Sequence, residues 1–148
     1  DERVEFNCYK PAEILEHKGQ YDSVFIKTVL YSSRTLEEYG QWLEWIMSVL
    51  KPGGVLVNFE TGRANGMVQV YRRFRKRIYT DLCLYTNAAE ALYDERFKIL
   101  DRRYYGGWSQ FLAPFPKVYH YAYRIEEALQ SRDADNCFIV SVIAKKGY

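Results

Sequence analysis

The stretch Val49–Glu60, VLKPGGVLVNFE, decides the fold. Pro52 has no N–H and disfavours helix in the residue before it, while Gly53 and Gly54 can take the positive φ that caps a helix, so a helix entering this stretch is expected to stop here. The next five residues, Val55-Leu56-Val57-Asn58-Phe59, form a nearly continuous apolar run of strand length. That pattern predicts a strand buried on both faces of a parallel sheet. A helix-to-strand crossover in the middle of the chain points to an α/β architecture.

Upstream, Thr35 and Glu38 form a capping box, and Leu36, Tyr39, Leu43, Ile46 and Leu50 recur at helical spacing, which predicts the helix that runs into the Pro-Gly-Gly stop. Before it, YDSVFI (21–26) comes after Gly19 and reads as a buried strand leading into the loop KTVLYSS. Earlier still, VEFNC (4–8) alternates as a short strand, closed by Pro11 ahead of a weak helical turn around AEILEHKG. Downstream, Met67, Tyr71, Phe74, Ile78 and Leu82 share one face of a helix whose other face is basic. A Thr86 cap opens a further helix through AAEALYDER, and FKILDRRYY has a strand-like pattern punctuated by Gly106 and Gly107. The segment WSQFLAPFPKV, a short helix in HYAYRIEEALQ and a last strand in CFIVSVIAKK complete the chain.

At 148 residues and 48% hydrophobic, the chain suits one domain with its own core. A formal charge of +2 is too mild to argue for nucleic acid or a membrane surface. Cys8, Cys83 and Cys137 are odd in number and lack C-x-x-C spacing, so neither a disulfide framework nor a metal site is expected, and a cytoplasmic setting is. No apolar run approaches the roughly 20 residues of a membrane span. The start, DERVEFNCYK, has neither a signal-peptide core nor an initiator Met, and the chain is expected to lack its natural N-terminus.

YDSVFIKTVLYS resembles the fourth strand and adjoining loop of the class I S-adenosylmethionine-dependent methyltransferases, and LEWIMSVLKPGGVLVNFE is similar to their helix, Leu-Lys-Pro-Gly-Gly turn and fifth strand. TNAAEALYDERFKILDRRYY looks like the helix and sixth strand, and CFIVSVIAKK like the antiparallel seventh. The resemblance covers about Val4 to Lys146. It implies a Rossmann-like, mostly parallel sheet with an antiparallel last strand. The glycine-rich turn after the family's first strand and the acidic residue after its second are absent, so the 148 residues are expected to be a single but incomplete domain beginning at the third strand. An N-terminal segment or a second chain would complete the sheet.

The resemblance further implies S-adenosyl-L-methionine as cofactor. Ligands of open parallel sheets bind beyond the carboxyl ends of the strands, where Lys27, Thr28, Val29, Leu30 and Tyr31 fall. By resemblance, Lys27 and Thr28 lie beside the methionine moiety, Val29 and Leu30 near the adenine or sulfonium, and Tyr31 faces the acceptor. Ordinary helix-entry packing explains Val29 and Leu30 equally well. Asn58 and Glu60 are candidates for the acceptor pocket, with plain loop solvation as the competing explanation. Tyr9 and Lys10 stand where the family usually has a Gly-Asp pair that accepts a hydrogen bond from the adenine amino group. A lysine cannot accept that bond, so packing on Tyr9 and Pro11, or backbone groups, would have to hold the ring.

Methyl transfer from a sulfonium needs alignment more than a dedicated catalytic group, and no catalytic residue is assigned. A base helps when the acceptor is a hydroxyl or protonated amine; Tyr31, Glu60, His120 and the Tyr104-Tyr105 pair are the candidates. Tyr105 and Trp108 would border the acceptor, in the late region where the family often builds a lid. The expected function is methyl transfer to a small-molecule acceptor. The alternative is a non-catalytic binding or regulatory module on the same scaffold, touching anionic ligands or RNA through Arg72, Arg73, Arg75, Lys76 and Arg77, against the plainer explanation of a solvated helix face.

Overall fold

The computed structural model describes residues 13, 15–63, 85–106, 118, 121, 124 and 134–147. The expected strand VEFNC, the basic helix with Arg72–Arg77, and most of the segment 107–133 lie outside the described residues.

Gly54 shows how tightly the central crossover is folded. A Cβ there would lie 3.0 Å from the Lys51 carbonyl oxygen, 3.1 Å from Leu50 Cδ2 and 3.2 Å from the Asp22 carbonyl oxygen. The strand containing it, β2 (Leu50–Thr61), begins directly where helix α1 (Leu36–Val49) ends. Thr35 caps α1, its hydroxyl accepting from Glu38 N at 3.1 Å, while Glu38 Oε2 reaches back to Arg34 N at 2.8 Å. The capping box is therefore formed, with the glutamate bonding one residue earlier than the usual reciprocal partner.

The helix stops three residues before the proline, not at the glycines. Leu50 is already extended (φ −70°, ψ 138°) and its N–H closes the last turn on Ile46 O. Pro52 forbids helix just upstream, and the Lys-Pro-Gly-Gly residues form a bulge instead of a cap. Strand β1 (Tyr21–Lys27) pairs in parallel with β2: Tyr21 faces Leu50, but Ser23 faces Val55, so two steps on β1 match five on β2. Gly53, at φ +74°, makes the turn within that bulge, and Lys51 Nζ spans it to Asp22 Oδ2 at 2.8 Å.

Helix α2 (Asn87–Arg96) is capped by Thr86 and runs straight into β3 (Phe97–Tyr105). Strand β4 (Ile139–Lys146) lies antiparallel between β2 and β3, giving the sheet order β1-β2-β4-β3. Among the described residues, three of the four strands thus run one way and the last in sequence runs the other, as expected. Alternate residues of β2 and β4 face one core: Leu56 pairs with Ala144, Asn58 with Val142 and Glu60 with Val140, all buried. The helices cover that face through Tyr39, Leu43, Ile46, Ala89 and Tyr93. Arg96 joins the two helices by an ion pair to Glu44 at 3.1 Å.

The other face is less covered than the apolar runs predict. Val55, Val57 and Phe59 remain half-buried, and Phe25 on β1 is 66% exposed against Phe59, with ring centroids 5.8 Å apart. YDSVFI is thus buried on its Val24 and Ile26 side only. An apolar run in sequence cannot reveal whether both faces of its sheet are covered within the same residues.

Candidate functional site

The parallel strands deliver their carboxyl ends to one end of the sheet. Lys27, Thr61 and Tyr105 finish there, and β4 starts there at Ile139, opposite both Thr61 and Tyr105. The chain leaving β1 turns sharply at Thr28, whose φ of +52° is the one positive value at a non-glycine among the described residues. A β-branched residue in that region is strained by roughly 1–3 kcal/mol and persists only where its surroundings enforce it.

The enforcement comes from the end of β2. Thr28 N donates to Phe59 O at 2.7 Å, Val29 N to Glu60 Oε1 at 3.1 Å and Leu30 N to the same oxygen at 2.9 Å. The three consecutive amides of Thr28, Val29 and Leu30 are thereby engaged. A short 3-10 turn (Leu30–Ser32) comes next, with Ser32 Oγ donating to Val29 O at 2.6 Å. Leu30 is fully buried and belongs to the core, whereas Val29 is 44% exposed and Lys27 and Thr28 are exposed.

Beneath the loop lies a buried polar cluster. Asn58 Nδ2 donates to the Tyr93 hydroxyl, which is also 3.4 Å from the Tyr39 hydroxyl. Tyr85 stacks obliquely on Tyr93, at 5.9 Å between ring centroids. Burial drives the Tyr39 hydroxyl well above the usual tyrosine range, and Tyr93 and the charge of Glu60 add to it. Burial likewise pushes up Tyr93 and Tyr85. None of these groups can serve as a base near neutral pH. The buried Ser33 Oγ, Asn58 Oδ1 and Tyr85 hydroxyl have no hydrogen-bond partner among the described residues.

A second network joins α2 to β3. Glu90 accepts from Arg102 at 2.8 Å and from the Tyr104 hydroxyl at 2.6 Å, and Arg102 also reaches Asp94 at 2.6 Å. Burial, and then its bond to Glu90, pushes the Tyr104 hydroxyl up, which removes Tyr104 from the candidate bases.

Of the residues the sequence singles out, the structure brings Thr28, Val29, Leu30 and Glu60 together, with Lys27 adjoining. Glu60 is fully buried under the loop and has no exposed surface to present to an acceptor. Leu30 can contribute only its backbone, since its side chain fills the core. Tyr105 ends β3, three inter-strand spacings from β1, about 14 Å away. Tyr31 lies in the 3-10 turn beside Val29. Tyr9, Lys10, Pro11, Trp108 and His120 lie outside the described residues. Sequence reasoning did not single out Tyr39, Tyr93 and Ser33; the available signal was Asn58, a polar residue inside an apolar strand that had to find a buried partner.

Among the described residues no group of three or more His, Cys, Asp or Glu is placed to hold a metal ion, and no helix is long and apolar enough to cross a membrane. No family model matches the chain, and neither does any curated protein. Solved structures do match. The chain is similar to the (4+2)-cyclase SpnF at 19% identity and TM-score 0.57, covering 98% of this chain and 56% of that one. It is similar to a SAM-dependent methyltransferase from Methanosarcina mazei at 17% identity and TM-score 0.56, covering 88% and 61%. It is also similar to the N-methyltransferase NodS of Bradyrhizobium japonicum, solved with S-adenosyl-L-homocysteine, at 13% identity and TM-score 0.50, covering 91% and 52%. The fold is that of the class I SAM-dependent methyltransferases. The chain spans between about half and three-fifths of the length of these solved structures.

Proposed function

We propose that the protein is a methyltransferase that binds S-adenosyl-L-methionine at the carboxyl ends of β1 and β2 and passes its methyl group to a small-molecule acceptor. The observation that carries this reading is the strained, doubly anchored loop at Thr28–Leu30, in the position where an open parallel sheet takes its ligand. The residues fit such a ligand: the exposed Val29 gives an apolar contact for a ring, and Lys27 and Thr28 give polar contacts for a charged tail.

When bound, S-adenosyl-L-methionine supplies the electrophilic methyl group. The work left to the chain is to hold the acceptor in line with it and to exclude water. In this reading Lys27, Thr28, Val29 and the Leu30 backbone border the cofactor, Tyr9, Lys10 and Pro11 border its adenine, and Tyr31, Tyr105 and Trp108 border the acceptor. His120 or Tyr31 takes a proton where the acceptor must lose one. A cytoplasmic setting belongs to the same reading, and so does completion of the sheet along β1 by an N-terminal segment or a second chain.

The competing reading is a non-catalytic binding module on this scaffold. It draws on Lys10, a cation where the family has an acceptor for the adenine amino group, and on a neighbour named for cyclisation. Calorimetry with S-adenosyl-L-homocysteine decides between them. Micromolar binding that Val29→Asp weakens at least tenfold supports the methyltransferase. Binding that is undetectable, or indifferent to that substitution, removes it.

A further inference from the structure

We propose that Glu60 is a positioning residue: its buried side chain sets the conformation of the Thr28–Leu30 loop and so shapes the ligand-facing wall without touching ligand. Four observations converge on it. Glu60 ends the alternation of buried residues on β2 and is fully buried. A single oxygen, Oε1, accepts from both Val29 N and Leu30 N. The strained residue of the loop, Thr28, is the one immediately before that pair, and its own amide is held by the neighbouring Phe59 carbonyl. The carboxyl lies close enough to the Tyr39 and Tyr93 hydroxyls to act on them electrostatically, and burial keeps both protonated.

A carboxylate buried for this purpose is chemically reasonable. The carboxyl oxygen gives both amides an acceptor, and without it the buried Leu30 N–H and the part-buried Val29 N–H would each carry a desolvation penalty. The pair of bonds therefore favours the loop conformation that puts Thr28 at positive φ. A base or an acceptor-binding group needs an accessible surface, and Glu60 has none. The consequence for ligand binding rests on the methyl-donor reading given above, whereas the consequence for the loop does not.

The test separates the two. In the full chain, hydrogen exchange of the Val29 and Leu30 amides is measured by NMR, with Val142 in β4 as internal reference. Glu60→Gln keeps the volume and one neutral acceptor, and is expected to speed exchange at both amides roughly threefold to tenfold; Glu60→Ala is expected to exceed tenfold. Val142 reports global opening and is expected to accelerate less than the two loop amides in both variants, and Tyr39→Phe, which touches the same polar cluster but no loop amide, leaves both loop amides unchanged relative to Val142. Affinity for S-adenosyl-L-homocysteine falls about tenfold in Glu60→Ala, because the wall is no longer preorganised.

Acceleration at the two amides in a protein whose wild type does not bind S-adenosyl-L-homocysteine supports the positioning role and removes the methyl-donor reading. Wild-type exchange at Val29 and Leu30 in a folded Glu60 variant overturns the positioning role. Should neither variant fold, the wild type still decides: scalar coupling from Glu60 Cδ to the Val29 and Leu30 nitrogens across the hydrogen bonds is expected, and its absence overturns the proposal.

Discussion

Replacing Gly62 with alanine should destabilise the protein far more than a methyl group on a surface turn would. Gly62 comes directly after the last residue of β2; its N–H donates to Phe138 O at 2.8 Å, and it forms a parallel bridge with Tyr85. A Cβ there would sit 2.5 Å from Cys137 Sγ, 2.9 Å from the Cys137 carbonyl carbon, and closer still to its carbonyl oxygen. Backbone cannot move aside as a flexible side chain can, so the chain must part β2 from the segment leading into β4. Overpacking of this kind costs about 1–3 kcal/mol, and losing the bond to Phe138 adds about 1 kcal/mol. The sum, about 2–4 kcal/mol, corresponds to a fall in Tm of roughly 5–15 °C for a domain of this size. Thermal and urea unfolding measure it directly. The companion change Gly40→Ala has the opposite sign: its Cβ would meet Arg96 and Leu92 at an ordinary 3.7 Å, so removing a glycine from the middle of α1 should gain about 1 kcal/mol. A Gly62→Ala protein melting within about 2 °C of wild type would refute the backbone clash. So would full rescue by adding Cys137→Ala, because that change removes only the sulfur.

Two tyrosines of one buried cluster should respond oppositely to loss of the hydroxyl. Tyr93→Phe strands Asn58 Nδ2 and the Tyr39 hydroxyl and should cost about 1–3 kcal/mol in urea unfolding, while Tyr85→Phe, whose hydroxyl has no partner among the described residues, should be neutral or stabilising. Stability should also fall in alkali. Burial raises the folded-state values of Tyr39, Tyr85, Tyr93 and Tyr104 above the ordinary 10.0, so their contribution is complete below about pH 10 and is lost above it, where the unfolded chain releases protons that the folded one retains. Each such group adds a slope of about 1.4 kcal/mol per pH unit, and urea unfolding between about pH 8 and about pH 11 should show a plateau and then a steep decline. Finally, Arg102→Met should cost about 3 kcal/mol by leaving Glu90 and Asp94 without their cation, and Arg102→Lys should recover only part of it, since an ammonium cannot bridge Glu90 and Asp94 as the guanidinium does.

The elements that were legible in the sequence are those in which local chemistry and tertiary packing agree. The Thr35 and Thr86 caps, the helical spacing of Leu36, Tyr39, Leu43 and Ile46 and the strand-like FKILDRRYY state their own structure, and α1, α2 and β3 lie where those signals place them, except that Leu50, the last residue of the same spacing, already begins β2. The Lys-Pro-Gly-Gly segment was legible only in part. Proline and glycine announce a break, but whether the break is a helix cap or a bulge depends on the partner strand, and Asp22 lies far away in sequence. Exposure of Phe25 was illegible for a similar reason: an apolar strand says that it can be covered, not by what.

The candidate site repeats this division at finer scale. Its location is dictated by the order of elements, because parallel strands joined by a helix must open their carboxyl ends on one side, and KTVLYSS occupies the first such opening. Its construction is not. A glutamate at the end of an apolar strand reads equally as solvent-facing, substrate-facing or inward, and only the register of β2 against β4, which sends Leu56, Asn58 and Glu60 to one face, turns it inward. Once inward, a carboxyl needs donors, and the nearest unbonded amides are those of the loop leaving the adjacent parallel strand. The strain at Thr28 and the burial of Glu60 are therefore one feature viewed from its two ends. Each would be unfavourable alone, and together they convert a polar residue that the core would otherwise reject into the support for the loop leaving β1.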